Sequence, residues 1–196
     1  VTLYVLFDRS SSMNSKLGSA FMTKFEQALG ALTAFFQDPA SAGLRVALRF
    51  FPDATCDRNA CDVSACSAPH VPVGALLASP APEDAQEQAL VAAVNGTTVS
   101  TGEAAQGSPL APALAGAGQW ATRYVADPAH AGEKAAVVLV SDGEQNGCVP
   151  DKTDYTAVNA AAASAHAAGV DTYAIGMQGF FEAQMNGIAE SGGTGA

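Results

Sequence analysis

Residues 135–140 read AAVVLV and are followed at once by Ser141-Asp142-Gly143. A half-exposed strand would alternate apolar and polar residues, and this run does not. It is also far shorter than the roughly 20 residues that span a bilayer. It fits a strand buried on both faces, which requires a sheet with helices above and below it. The rest of the chain is organised around that requirement. Thr2 to Phe7 (TLYVLF) is a second buried strand and ends at Asp8; Leu44 to Phe51 (LRVALRFF) and Val170 to Ile175 add two more. Val71 to Leu77 (VPVGALL) contains Pro72 and Gly74, which confine it to a sheet edge. Between these runs lie helical segments. Lys16 to Gln37 places Leu17, Phe21, Phe25, Ala28, Leu32 and Phe35 at helical spacing and stops at Asp38-Pro39. Pro82 to Val94, Pro109 to Val125, Tyr155 to Ala168 and Phe181 to Ala189 are the others. Strands alternating with helices predict an α/β fold with a mostly parallel sheet.

At 196 residues, 48% of them hydrophobic, the chain suits one domain with a substantial core. Nineteen acids face nine bases, a formal net charge of -10, so there is no basic face for nucleic acid. No apolar run is long enough to form a transmembrane segment. The chain opens at Val1 directly into a strand, so any signal peptide is expected to lie outside it.

The residues with the most chemistry sit where the buried strands end. Asp8-Arg9-Ser10-Ser11-Ser12, a D-x-S-x-S string, leaves the first strand at its carboxyl end. Asp142 leaves the AAVVLV strand in the same way, and Gly107-Ser108-Pro109 sets a hydroxyl at the start of a helix. Each piece has an ordinary explanation. Asp8, Ser10, Ser12 and Ser108 could cap helices, and Asp142-Gly143 could be a turn. Topology argues for more. A right-handed crossover puts the second strand on one side of the first, and a further crossover puts AAVVLV on the other. Asp8 and Asp142 then flank the switch point, where open α/β sheets bind ligands. Two carboxylates and three hydroxyls in one crevice suit a hard divalent cation.

The three pieces, in this order, resemble the metal-ion-dependent adhesion site (MIDAS) of von Willebrand factor A domains, particularly bacterial secreted ones. The likeness extends over essentially the whole chain. It implies a Rossmann-like three-layer sandwich with strand order 3-2-1-4-5 and strand 3 as an antiparallel edge. It implies that Ser10, Ser12 and Ser108 ligate the metal through their hydroxyls, and that Asp8 and Asp142 act directly or through water. Mg²⁺ is the ion implied first, with Mn²⁺ or Ca²⁺ as alternatives. The implied function is non-catalytic adhesion, in which the ion coordinates an Asp or Glu carboxylate of a protein or surface polymer. The implied location is extracellular or on the cell surface. The chain departs from the family pattern at two positions, and the first is expected to weaken the site. Ser108 stands where the family usually has Thr, which loses the stiffness of a β-branched side chain, and Leu110 replaces the second Thr of the turn. The resemblance implies a single domain over residues 1–196, and since the family usually has a further strand and helix, an excerpt of such a domain is expected.

Cys56, Cys61 and Cys66 fall in a polar loop between Pro52 and His70, and Cys148 follows Asp142. An even count in such a setting predicts disulfides and an oxidising compartment. A bridge from the loop to Cys148 is geometrically possible, with the remaining two cysteines closing a small loop, but three pairings remain open. The loop is expected to rim the metal site and shape ligand choice. A Cys₄ zinc site is the rival, although C-x₄-C-x₄-C departs from the usual ligand spacing. His70, His130 and His166 are scattered and read as surface or satisfied residues, and Trp120 reads as core. Glu144 and Gln145 could line the rim or simply be solvated. Two other functions compete with adhesion: hydrolysis, by Ser10 or Ser12 as nucleophile or by metal-activated water, and a structural domain with a vestigial site. No histidine is placed to act as a base, and there is no G-x-S-x-G elbow.

Overall fold

A computed structural model describes residues 1–16, 21–102, 107–143, 145–177 and 181–195. The strands are β1 (Thr2–Asp8), β2 (Arg45–Phe51), β3 (Val71–Ala75), β4 (Ala135–Ser141) and β5 (Asp171–Gly176). The helices are α1 (Lys24–Gln37), α2 (Ala85–Gly96), α3 (Leu110–Ala126), α4 (Thr156–Ala167) and α5 (Glu182–Ser191). Among the described residues the strands form one sheet in the order β3-β2-β1-β4-β5, with β3 antiparallel and the other pairings parallel. Strand β1 lies at the centre, between the first strand to follow it and β4. The switch point therefore lies between the carboxyl ends of β1 and β4.

Strand periodicity divides the core in two. Tyr4 and Leu6 of β1 face Leu110, Leu114, Ala117, Val158 and Ile188, on the side covered by α3, α4 and α5. Val5 and Phe7 face Phe25, Ala28, Leu32 and Leu90, on the side covered by α1 and α2. Trp120 joins the first core by packing against Tyr4 and stacking on Tyr124. The edge strand β3 carries the irregularity that Pro72 and Gly74 demand. Its register against β2 shifts between Val46 and Leu48, and the Gln86 amide fills the gap by donating to the carbonyls of Val46 (2.7 Å) and Pro72 (2.9 Å).

The first helix is shorter than the apolar spacing suggests. It begins at Lys24, not Lys16, because Thr23 and Glu26 form a capping box: Thr23 Oγ1 accepts from the Glu26 N–H (3.1 Å), and the Glu26 carboxylate accepts from the Thr23 N–H (2.7 Å). Lys16 instead bridges Thr23 in an isolated antiparallel pair. Phe21, expected on the buried stripe, is 95% exposed, and Phe36 rather than Phe35 takes the innermost position. Leu17, the other expected member of that stripe, lies outside the described residues.

All four cysteines are bridged, Cys56 to Cys66 and Cys61 to Cys148, which removes the zinc alternative. The small loop packs onto α3 at Gly116, where a Cβ would stand 2.7 Å from the Cys66 carbonyl carbon and 2.8 Å from the Val63 carbonyl oxygen. A side chain there would push the backbone away, so glycine allows the loop to sit on the helix.

Candidate metal centre

Asp8 ends β1 and is fully buried. Its Oδ1 accepts from the Ser10 N–H (2.8 Å), which turns the chain directly after the strand. Its Oδ2 accepts from the hydroxyls of Ser141 (2.6 Å) and Ser108 (3.3 Å). Asp142, also buried, accepts from the Ser12 hydroxyl at Oδ1 (3.2 Å) and pairs with the Lys24 ammonium at Oδ2 (2.9 Å). The Ser10 and Ser12 hydroxyls lie 3.1 Å apart and join the two carboxylate clusters. The structure thus brings together Asp8, Ser10, Ser12, Ser108 and Asp142 from three separate stretches of chain.

The ordinary explanations do not account for these side chains. Ser10 is the N-cap of a short 3-10 turn (Ser11–Asn14) but makes no side-chain capping bond. Pro109, not Ser108, is the N-cap of α3, and the Ser108 hydroxyl turns to Asp8. Gly107 makes that turn possible. Its φ is +98°, and a Cβ there would stand 2.6 Å from the Asn146 carbonyl oxygen. The Asn146 N–H in turn donates to the Ser108 carbonyl (3.0 Å), so the segment after Asp142 clamps the Ser108 turn.

Two participants were not evident from the motif. Ser141 lies directly before Asp142, one step past the Phe7–Val140 register pair, which sets it opposite Asp8. Its hydroxyl accepts from the Gly143 N–H (3.0 Å) while donating to Asp8, and so positions that carboxylate. Lys24 reaches the site from the first residue of α1. Gln145 is buried, not solvated: its side chain donates to the Asp154 carbonyl (2.8 Å) and its N–H to the Tyr155 hydroxyl (3.1 Å). Glu144 lies outside the described residues. The histidines are engaged elsewhere, His70 with Asp53, His130 with Glu133 and His166 with Asp171.

The donor set suits a hard divalent ion. It is all oxygen, it carries two carboxylates, the hydroxyls of Ser12, Ser108 and Ser141 lie within 3.3 Å of those carboxylates, and the Ser10 hydroxyl lies 3.1 Å from that of Ser12. Among the described residues no group of three or more His, Cys, Asp or Glu could hold a metal, so any ion must rely on serine hydroxyls as well.

Burial pushes the Asp8 carboxyl up to about 6 from its ordinary 3.8; the Ser10 and Ser141 hydrogen bonds resist the shift, and the Asp142 charge adds to it. Without metal, folded Asp8 therefore holds a proton between pH 3.8 and about 6, where the unfolded chain has released it. Its contribution to stability is most favourable below that window and falls by about 3 kcal/mol as the pH rises through it. Melting in chelator is expected to show this as a widening advantage of Asp8→Asn over the wild type between about pH 4 and pH 7. A difference that stays flat with pH would mean that Asp8 ionises normally.

No family model and no curated protein matches the chain. Solved structures do. Proximal thread matrix protein 1 from the mussel byssus superposes with a TM-score of 0.54 at 16% identity, covering 96% of this chain and 41% of that one. A second structure of that protein, described as having a zinc-occupied MIDAS motif, gives 0.53 at 18% identity and covers 96% and 38%. The manganese-loaded TRAP protein of Plasmodium vivax gives 0.50 at 15% identity and covers 97% and 62%. This chain spans less than two thirds of each. The likeness establishes the fold, the Rossmann-like α/β sandwich of von Willebrand factor A domains.

Proposed function

We propose that residues 1–196 form a single, non-catalytic binding domain that holds a divalent cation between Asp8, Ser10, Ser12, Ser108 and Asp142, with Mg²⁺ the ion of choice. A bound ion would supply the positive charge that takes an Asp or Glu carboxylate from a protein or surface polymer. The observation that carries this reading is the convergence of all five side chains at the switch point. Asp8 and Asp142 supply the negative charge, the serines supply neutral oxygens, and Ser141 orients Asp8. Two of the structural neighbours, one manganese-loaded and one with a zinc-occupied MIDAS, support a divalent ion in this fold. The site contains neither histidine nor cysteine, which favours binding over hydrolysis and oxygen-seeking ions over zinc.

Two disulfides fit an oxidising compartment, and the matrix protein among the neighbours fits an extracellular setting. No described helix is long and apolar enough to cross a membrane. The disulfide loop adjoins the Ser108 turn through residues 146–148, which supports a part for it in shaping ligand choice.

Melting with Mg²⁺, Mn²⁺, Ca²⁺ or chelator tests the reading. An ion at 100 times its Kd stabilises by about 2.7 kcal/mol, which for a chain of this size raises Tm by roughly 5–10 °C. Retention on polyglutamate-coated beads should then require the ion. Melting curves that coincide under all four conditions would overturn the metal site.

A further inference from the structure

The geometry points to Lys24 as a built-in counter-cation of the metal site, one that competes with the divalent ion for Asp142 and leaves the loaded site positively charged toward an acidic ligand. This inference rests on the metal-binding reading above. Lys24 Nζ lies 2.9 Å from Asp142 Oδ2, with side-chain exposures of 9% and 3%. Lysine is seldom buried so deeply unless its charge is matched. Its place in the helix makes the pairing more telling. Lys24 is the first residue of α1, where the helix dipole disfavours a cation. The capping box at Thr23 and Glu26 fixes that position, so the attraction of Asp142 must outweigh both burial and the dipole.

The same carboxylate receives the hydroxyl of Ser12, a candidate ligand, on its other oxygen. A divalent ion drawing on Ser12 and Asp142 therefore shares Asp142 with an ammonium already in place. Two consequences follow from charge alone. The ion binds less tightly than two buried carboxylates would otherwise allow. And among the described groups, two carboxylates, one ammonium and one divalent ion sum to +1, against zero without Lys24. An incoming carboxylate is therefore attracted more strongly with Lys24 present than without it. By reciprocity, an acidic ligand then strengthens retention of the ion.

Mn²⁺ titration of the wild type and Lys24→Met, with and without polyglutamate, tests this. Lys24→Met is expected to bind Mn²⁺ at least about tenfold more tightly when alone. Polyglutamate is expected to raise Mn²⁺ affinity more in the wild type than in the variant. Equal or weaker Mn²⁺ binding by Lys24→Met would overturn the role of Lys24 while leaving the metal site standing. No Mn²⁺ binding by either protein would remove the metal site, and the role of Lys24 with it. Amine labelling of the wild type, read by mass spectrometry at Lys24, does not depend on the variant folding. Labelling is expected to be slow in chelator and to stay slow in saturating Mn²⁺; several-fold faster labelling in Mn²⁺ would show that the ion displaces the ammonium and would overturn its part in the loaded site's charge.

Discussion

Asp8→Asn is expected to reduce divalent-ion affinity by at least about 100-fold while the protein stays folded. Asp8 supplies one of the two carboxylates at the centre, and its Oδ2 already gathers the hydroxyls of Ser141 and Ser108. Asparagine keeps a carbonyl oxygen for some of these donors but carries no charge to offset an ion. The usual worry with a buried charged residue is that its replacement unfolds the protein. Here the balance runs the other way, because burial already disfavours the Asp8 charge, as the carboxyl raised to about 6 records. In chelator near pH 7.5, Asp8→Asn should therefore melt at or above the wild-type temperature. Calorimetric titration with Mn²⁺ and a melt in chelator give the two readings. Wild-type affinity in a folded variant would place the ion away from Asp8. Ser108→Ala should move affinity in the same direction by less, since it removes a neutral oxygen.

Replacing Cys61 and Cys148 together with serine is expected to have the largest effect on stability. Their bridge joins positions 87 residues apart, and closing a loop of that length stabilises by about 4–5 kcal/mol in the chain-entropy account. For a chain of this size that corresponds to a fall in Tm of roughly 10–18 °C. Cys61 is exposed and Cys148 half-buried, so the double variant opens no cavity and the loss reports the cross-link itself. Cys56–Cys66 closes only 10 residues, for about 3 kcal/mol on the same account, but both cysteines belong to the core, so their loss would add a packing defect. The longer bridge also bears on the site. The Cys148 N–H donates to the Arg58 carbonyl (3.2 Å), and the neighbouring Asn146 N–H holds the Ser108 carbonyl. Loosening that segment should lower Mn²⁺ affinity several-fold even where the protein remains folded. Calorimetric unfolding that matches the wild type would show that the native packing, not the bridge, holds the loop.

The fold and the five-residue constellation were legible in the linear chain, because both depend on short-range signals. A continuous apolar run demands cover on both faces, a polar residue directly after it must leave the sheet at its carboxyl end, and crossover handedness then decides which ends are neighbours. The start of α1 was legible too, in Thr23-Lys24-Phe25-Glu26, but the apolar spacing that continues back through Phe21 and Leu17 obscured it. What no local signal carries is the partner of a side chain across the sheet. Ser141 meets Asp8 through strand register, and Lys24 meets Asp142 across 118 residues because a capping box sets where the helix begins. The choice among three disulfide pairings likewise waits on the packing of the cysteine loop against Gly116 and the 146–148 segment. The chain by itself determined that the oxygens of Asp8, Ser10, Ser12, Ser108 and Asp142 gather at the switch point, since backbone topology delivers them there. Only the tertiary structure decided which charges stand beside them, since the reach of a lysine and the closure of a disulfide depend on distances that exist only once the helices and loops have packed.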